Sequence, residues 1–261
     1  MIKIFKILLI LVFTSAISLG QDEIRKLSNG FSHGVGDNKI HFSLDDYEII
    51  DVAIDGQTFK KPIIPFGGLK SEEGHPTLPT ITTFYQVAPN KSYAIDININ
   101  SSEWIENIDI LPHQTWDHVS DETNALFKRD IELYTSDMKY PENQGEVSHT
   151  FVFRDLPVIK VSITPFKYYP LSRKLEVITS ADIELVEVED IEPVQVPNRI
   201  SRVFEPLYEA LVVNYSRSIN DDDYQKPSIL YILPSNSSNL MANLEILFDW
   251  RHRSGYGFNY V

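Results

Sequence analysis

From Lys39 onward, apolar and polar residues alternate along the chain with a period of two. Ile40, Phe42 and Leu44 alternate with His41 and Ser43, and Ile50, Val52 and Ile54 alternate with Asp51 and Ala53. Successive side chains of a strand point to opposite sides, so each run places one apolar face inward. Asp55-Gly56 closes the second run with a tight hairpin turn. Between Tyr93 and Asn100, four apolar residues (Tyr93, Ile95, Ile97, Ile99) alternate with Ala94, Asp96, Asn98 and Asn100, which predicts a half-buried strand. Trp104–Leu111, Thr150–Phe153, Val158–Thr164, Leu175–Ile178 and Ala181–Val188 repeat the pattern between Pro, Gly, Asn and Ser breaks. Short strands at this spacing predict an all-β region, an antiparallel β-sandwich.

Two segments depart from the alternation. Between Pro112 and Tyr134 it lapses into Asp117-His118-Val119-Ser120-Asp121-Glu122-Thr123-Asn124. A polar insertion of this length in a compact β region is usually functional or disordered. After Val188, Phe204, Leu207, Tyr208, Leu211, Val212 and Tyr215 recur at helical spacing with Pro206 near the start, so an amphipathic helix is expected, with a stripe that needs a surface to cover.

Beyond the helix the chain changes character. Residues 216–227, with Arg217 and the run Asp221-Asp222-Asp223, form a polar linker expected to be exposed enough to be cut. Ser228 to Pro234 is a buried-type strand without alternation, Leu240, Leu244, Leu247 and Phe248 line one helical face, Gly255 stops that helix, and Phe258 to Val261 starts another strand. Strand, helix and strand make the opening β-α-β unit of an α/β sheet. Such a sheet needs further strands and helices on both faces, so the sequence is expected to be a piece of a longer protein.

Composition sharpens this picture. Met1 to Lys6 is basic, Ile7 to Phe13 is apolar, and small residues follow to Gly20, the expected cleavage point of a signal peptide. The apolar run is shorter than the roughly 20 residues a membrane span requires, so no span is expected once the signal is removed. Export would take Lys3 and Lys6 away and move the formal charge from -14 to -16. Nucleic-acid binding is therefore not expected, because neutralising phosphates needs clustered Lys and Arg. With no cysteine there is no disulfide framework, thiolate metal site, lipid anchor or thiol nucleophile.

His113, Asp117 and His118 read as solvated loop residues, since no second cluster has metal-ligand spacing. The Asp221–Asp223 run lacks the alternation of a calcium loop. No nucleophile elbow, phosphate loop or His-Glu zinc motif is found. The reading is of a chain without catalytic residues, cofactor or metal.

Gly74-His75-Pro76-Thr77-Leu78-Pro79, then Tyr134 through Tyr140-Pro141, then Pro165-Phe166-Lys167-Tyr168-Tyr169-Pro170 before Lys174-Leu175, resembles in order and spacing the propeptide of gingipain-type cysteine endopeptidases. Phe204-Glu205-Pro206-Leu207-Tyr208 to Asn214-Tyr215 is similar to the helix that closes that propeptide, and Asp249-Trp250 with Gly255 is similar to the first helix of the caspase-like peptidase domain that follows. Residues 1–20 read as the signal peptide and 21–38, with Gly30, Gly34 and Gly36 among polar residues, as a flexible lead-in; the resemblance, over about 39–261, implies a β-sandwich prodomain over 39–215, a linker over 216–227, and the start of a peptidase domain over 228–261. It also implies an exported protein, passing through the periplasm to the cell surface or medium with the help of secretion machinery, whose partner is its own cognate peptidase domain.

In that family latency implies a basic residue of the long loop set into a specificity pocket. Here the middle of the loop is acidic and the nearest basic pair is Lys128-Arg129. These two are the inhibitory candidates, unless the partner enzyme prefers a different residue, and Arg217 stands where the maturation cut would fall. Lys128-Arg129 also fits a plain surface pair. A second reading is a free-standing β-sandwich for adhesion or glycan binding, suggested by Trp104, Trp116 and Tyr168. A third is a family member within the secretion machinery that cleaves export signals.

Overall fold

The computed structural model describes residues 30–54, 56–115, 127–198, 200–217, 224–225, 229 and 238–256. Gly20 and the expected signal peptide lie outside the described residues, as does most of the strand expected over 228–234 and all of that over 258–261. The strands in chain order are β1 (Phe31–His33), β2 (Lys39–Ser43), β3 (Glu48–Ile54), β4 (Gln57–Ile63), β5 (Gly68–Leu69), β6 (Pro79–Gln86), β7 (Lys91–Glu106), β8 (Gly145–Val147), β9 (Phe151–Phe153), β10 (Leu156–Ile163), β11 (Phe166–Tyr169) and β12 (Lys174–Asp190). The helices are α1 (Ile131–Thr135), α2 (Glu205–Leu211) and α3 (Ser238–Arg253).

One five-stranded sheet runs β1-β2-β12-β11, with β7 also paired to β12; the other runs β5-β6-β10-β8, with β9 also on β10. The pairings between these strands are antiparallel. Ile40, Phe42, Phe166, Val177 and Ile183 from the first sheet and Ile81, Tyr85, Ile159, Val161 and Ile163 from the second share one buried cluster. The predicted antiparallel sandwich is therefore the observed fold, with its core between two sheets whose inner faces carry every second residue.

Several expectations change in detail. The lead-in expected to be flexible over 21–38 contains β1, whose Phe31 is buried against Phe42. Gly30 precedes it at φ +77, and a Cβ there would lie 1.8 Å from the Ser43 carbonyl oxygen, so glycine is what lets β1 approach β2. The runs at Tyr93–Asn100 and Trp104 belong to one strand, as do Leu175–Ile178 and Ala181–Val188. Their polar interruptions stand opposite one another, where the register shifts around Ser180 and Ser101 and the Ser101 and Thr179 hydroxyls bond at 2.7 Å. What reads as two strand ends is a bulge in a continuous ribbon.

The hairpin of β3 and β4 forms as expected, with Gly56 at φ +76, but as a separate two-stranded sheet bridged through Lys60 to Ile110. Its apolar residues are only partly covered. Ile49 packs on the core while Ile50 is exposed, and Phe59 of β4 supplies the buried aromatic.

The helix expected from Phe204 to Tyr215 is shorter. It begins with a 3-10 turn at Arg202–Phe204, continues as α2 and ends at Val212, which joins Phe84 in a parallel bridge. Tyr208 and Val212 cover Leu156 and Val158, with Phe84, Phe151, Phe153, Phe204 and Tyr215 around them. The second sheet is thus buried on both faces, which is why Val158 and Ile159 are both fully enclosed although they point in opposite directions. Helix α3 ends where Gly255, at φ +92, allows Gly255 N–H to reach the His252 carbonyl and Tyr256 N–H the Arg251 carbonyl. Among its described side chains Phe248 is buried, while Leu240, Leu247 and Trp250 stay exposed.

Candidate functional site

Thr115 and Phe127 flank the long polar insertion, and its two ends are clamped together. Gln114 accepts the Lys128 backbone N–H through Oε1 at 2.9 Å and donates from Nε2 to the Lys128 carbonyl at 2.7 Å. Glu73 then spans both ends, accepting from the Thr115 hydroxyl at 2.5 Å and from Lys128 Nζ at 2.6 Å. The Lys128 bond, followed by that from Thr115, holds the Glu73 carboxyl below its usual range. Phe127 stacks on Phe59 at 5.4 Å.

Gly74, from the first family-like motif, stitches this base to the sandwich. At φ +85 its N–H donates to the His113 carbonyl at 2.7 Å and its carbonyl accepts from Asp130 N–H at 3.0 Å. A Cβ at Gly74 would meet Asp130 N at 3.1 Å. His75 beside it lies 3.2 Å from Asp130 Oδ2 and stands edge-on to Tyr140. Asp130 also caps α1, accepting from Leu133 N–H. Gly74→Ala is expected to cost about 1–2 kcal/mol for the left-handed backbone alone, read as a lower unfolding midpoint in urea. An unchanged midpoint would mean that the loop base is not held through this residue.

The two basic candidates face different surroundings. Lys128 keeps 60% of its side chain exposed. Arg129 lies 4.1 Å over the Tyr134 ring and 3.4 Å from Asp109 Oδ1, two-thirds covered. Asp109 also accepts from the hydroxyl of Tyr168, and Tyr134 donates to the Ile110 carbonyl at 2.9 Å. Burial, then the Asp109 charge, pushes the Tyr168 phenol up to about 12, and burial drives that of Tyr134 higher still. Arg129 is therefore part of a half-buried structural network, whereas Lys128 is the cation presented at the rim.

A second polar site pins the end of the sandwich domain. Arg154 and Asp155 form the two-residue turn between β9 and β10, with Arg154 at φ +65. Asp155 is buried, and its carboxylate accepts from Tyr208 OH at 2.9 Å, Ser201 N–H at 2.9 Å and Arg217 NH1 at 3.0 Å. Arg217 donates from NH2 to the Asp155 carbonyl at 3.2 Å and lies 3.6 Å from Glu205 Oε1, with its guanidinium over the Tyr208 ring. The Tyr208 phenol is pushed up to about 12 by burial first and by its bond to Asp155 second. Tyr215 OH bonds the other Glu205 oxygen. Arg217 was expected in an exposed linker; its side chain is only 14% exposed.

The described aromatic residues that suggested a glycan surface, Trp104 and Tyr168, do not form an exposed pair. Tyr168 is fully buried, Trp116 lies outside the described residues, and Trp104 is half exposed and tilted against Tyr169. Asp117, His118 and Asp221–Asp223 also fall outside the described residues. Among the described residues, no group of His, Cys, Asp or Glu could hold a metal ion, and no helix is long and apolar enough to cross a membrane.

Sequence reading missed Glu73, Gln114, Asp109 and Asp155. None stands in a recognisable motif, and each acts on a partner at least 14 residues away, Gln114 on Lys128 being the nearest.

The family model Propeptide_C25 matches residues 21–215. Gingipain R2 of Porphyromonas gingivalis is 23% identical over 229 residues, covering 84% of this chain and 30% of gingipain R2. Gingipain R1 of the same organism is 20% identical over 254 residues, covering 94% of this chain and 24% of gingipain R1. The chain thus spans less than a third of the length of these curated relatives. Among solved structures, the complex of the P. gingivalis RgpB pro- and mature domains superposes with a TM-score of 0.57 at 20% identity, covering 71% of this chain and 97% of that one. A structure concerning zymogenic latency of gingipain K from P. gingivalis superposes with a TM-score of 0.50 at 18% identity, covering 60% and 90%. At these identities the structural likeness establishes the fold.

Proposed function

The chain belongs to the Propeptide_C25 family, and from that premise we propose that it keeps a gingipain-like cysteine endopeptidase latent and assists its folding and export. The cognate partner is then a peptidase domain following in the same polypeptide, with residues 228–261 as its beginning. The product is exported by way of the signal peptide cut at Gly20, through the secretion machinery, to the cell surface or medium.

The observation that carries the inhibitory part is the clamped base of the long insertion. A loop that must enter a partner's cleft loses less freedom on binding when its ends are already fixed. Glu73, Gln114 and Gly74 fix them here, and Lys128 stands exposed at the returning end. We assign the contact with the specificity pocket to Lys128, because its pairing with Glu73 lies at the exposed rim, whereas Arg129 is largely covered between Asp109 and Tyr134.

The prodomain added in trans is expected to inhibit its mature cognate peptidase at sub-micromolar concentration. Lys128→Ala should weaken inhibition at least tenfold, equivalent to about 1.4 kcal/mol, with the thermal midpoint unchanged. Arg129→Ala should lower the midpoint first. No inhibition at micromolar excess would remove the inhibitory reading; equal inhibition by the Lys128 variant would remove only the assignment of that residue.

A further inference from the structure

Between Arg217 and Arg251 the only other basic side chain is Lys226, and its peptide bond leads into Pro227. A peptidase specific for basic residues therefore has Arg217 as its natural target between the sandwich domain and α3. A cut there requires the guanidinium to enter the enzyme's pocket, where water adds across the Arg217–Ser218 amide and leaves a carboxylate on Arg217 and an amine on Ser218. The structure shows that guanidinium already occupied.

We propose that the sandwich domain carries its own receptor for the Arg217 guanidinium and thereby protects the junction from cleavage. The receptor is Asp155 at 3.0 Å, Glu205 at 3.6 Å and the face of Tyr208. These supply what a basic-specific pocket supplies: carboxylates for the charge and an aromatic wall for the plane. Asp155 is fixed independently of Arg217, because Ser201 N–H and Tyr208 OH also hold its carboxylate. The charge of the receptor thus exists before the arginine arrives.

The far side of the junction is held as well. Tyr224 forms a parallel bridge with Ile200, Gln225 N–H donates to the Ile200 carbonyl at 2.7 Å, and the Arg202 guanidinium lies over the Tyr224 ring. An attacking enzyme must compete with the sandwich domain for Arg217 while both flanks stay attached. Cleavage then proceeds at the rate of cutting the released arginine multiplied by the fraction of time Arg217 is free of Asp155.

This inference rests on reading Arg217 as the junction cut, but its test needs no cognate enzyme. The full chain is exposed to a trace of trypsin, and the cut at each basic residue is followed by mass spectrometry. Arg253, with 80% of its side chain exposed, and the exposed turn residue Arg173 serve as references. The Arg217 bond should be cut at least tenfold more slowly than that after Arg253. Asp155→Asn should raise the Arg217 rate about tenfold and leave the Arg173 rate within twofold; Glu205→Gln should raise it two- to fivefold.

Cleavage of Arg217 as fast as Arg253 in the unaltered chain would overturn the proposal, whether or not either variant folds. So would an unchanged Arg217 rate in a folded Asp155→Asn protein. Failure of trans inhibition would leave this result standing, and the reverse, so the two readings fall separately.

Discussion

Replacing Tyr168 by alanine is expected to lower stability by about 3–5 kcal/mol, the usual cost of deleting a buried aromatic ring. Tyr168 is fully enclosed, its ring lies 6.1 Å from that of Tyr134, and its hydroxyl reaches both the Ile108 carbonyl and Asp109 at 3.3 Å. Its backbone exchanges two hydrogen bonds with Tyr140, at 2.7 and 2.8 Å, so it ties β11 to the segment leading into β8. The alanine variant leaves a cavity between α1 and the first sheet and deprives Arg129 of the neighbour that orients Asp109. Tyr168→Phe keeps the ring and loses only the hydroxyl; it should cost about 1 kcal/mol, since Asp109 retains Arg129 and partial access to water. Urea unfolding distinguishes them. A loss below 1 kcal/mol for the alanine variant would show that the sandwich core does not depend on this rung.

Tyr168 also marks how far sequence pattern reaches. In Tyr168-Tyr169 one ring must face the core and the other solvent, and the sequence does not say which. The register settles it: Tyr168 stands opposite Leu175 and Tyr169 opposite Lys174. Where apolar and polar residues alternate, as in Tyr93, Ile95 and Ile97, the strand and its inner face were legible because a single period decides both. Where polar residues interrupt the run, as at Ser101 and Thr179, a strand end and a bulge look alike until the partner strand is known.

The site was legible only in part, for the same reason. The length and polarity of the insertion after Pro112 set it apart from the strands, and the motif at Gly74 is what secures its base. The roles within it were not readable. Lys128 and Arg129 are neighbours with the same charge, yet one meets Glu73 at the rim and the other Asp109 in a half-buried network. Those acids lie 55 and 20 residues away. Arg217 likewise reads as a linker residue because its partner, Asp155, sits in a hairpin turn 62 residues earlier. Long-range charge pairing leaves no periodic trace.

Asp155→Ala is expected to destabilise the domain by about 3–5 kcal/mol, because removing one member of a buried pair strands the groups that remain. Three donors lose their acceptor together: Tyr208 OH, Ser201 N–H and Arg217. The phenol and the amide are enclosed and cannot turn to water, whereas Arg217 at the margin retains Glu205. Most of the loss should therefore persist when Arg217 is also changed. The double variant Asp155→Ala/Arg217→Ala is expected to recover only about 1–2 kcal/mol of coupling, and Arg217→Ala alone should cost less than Asp155→Ala. The physical reason is placement: Asp155 joins the β9–β10 turn to α2, so its loss loosens the helix that covers Leu156 and Val158. Equal costs for the two single variants would show instead that the ion pair, not the carboxylate's bonds to Tyr208 and Ser201, holds the helix in place.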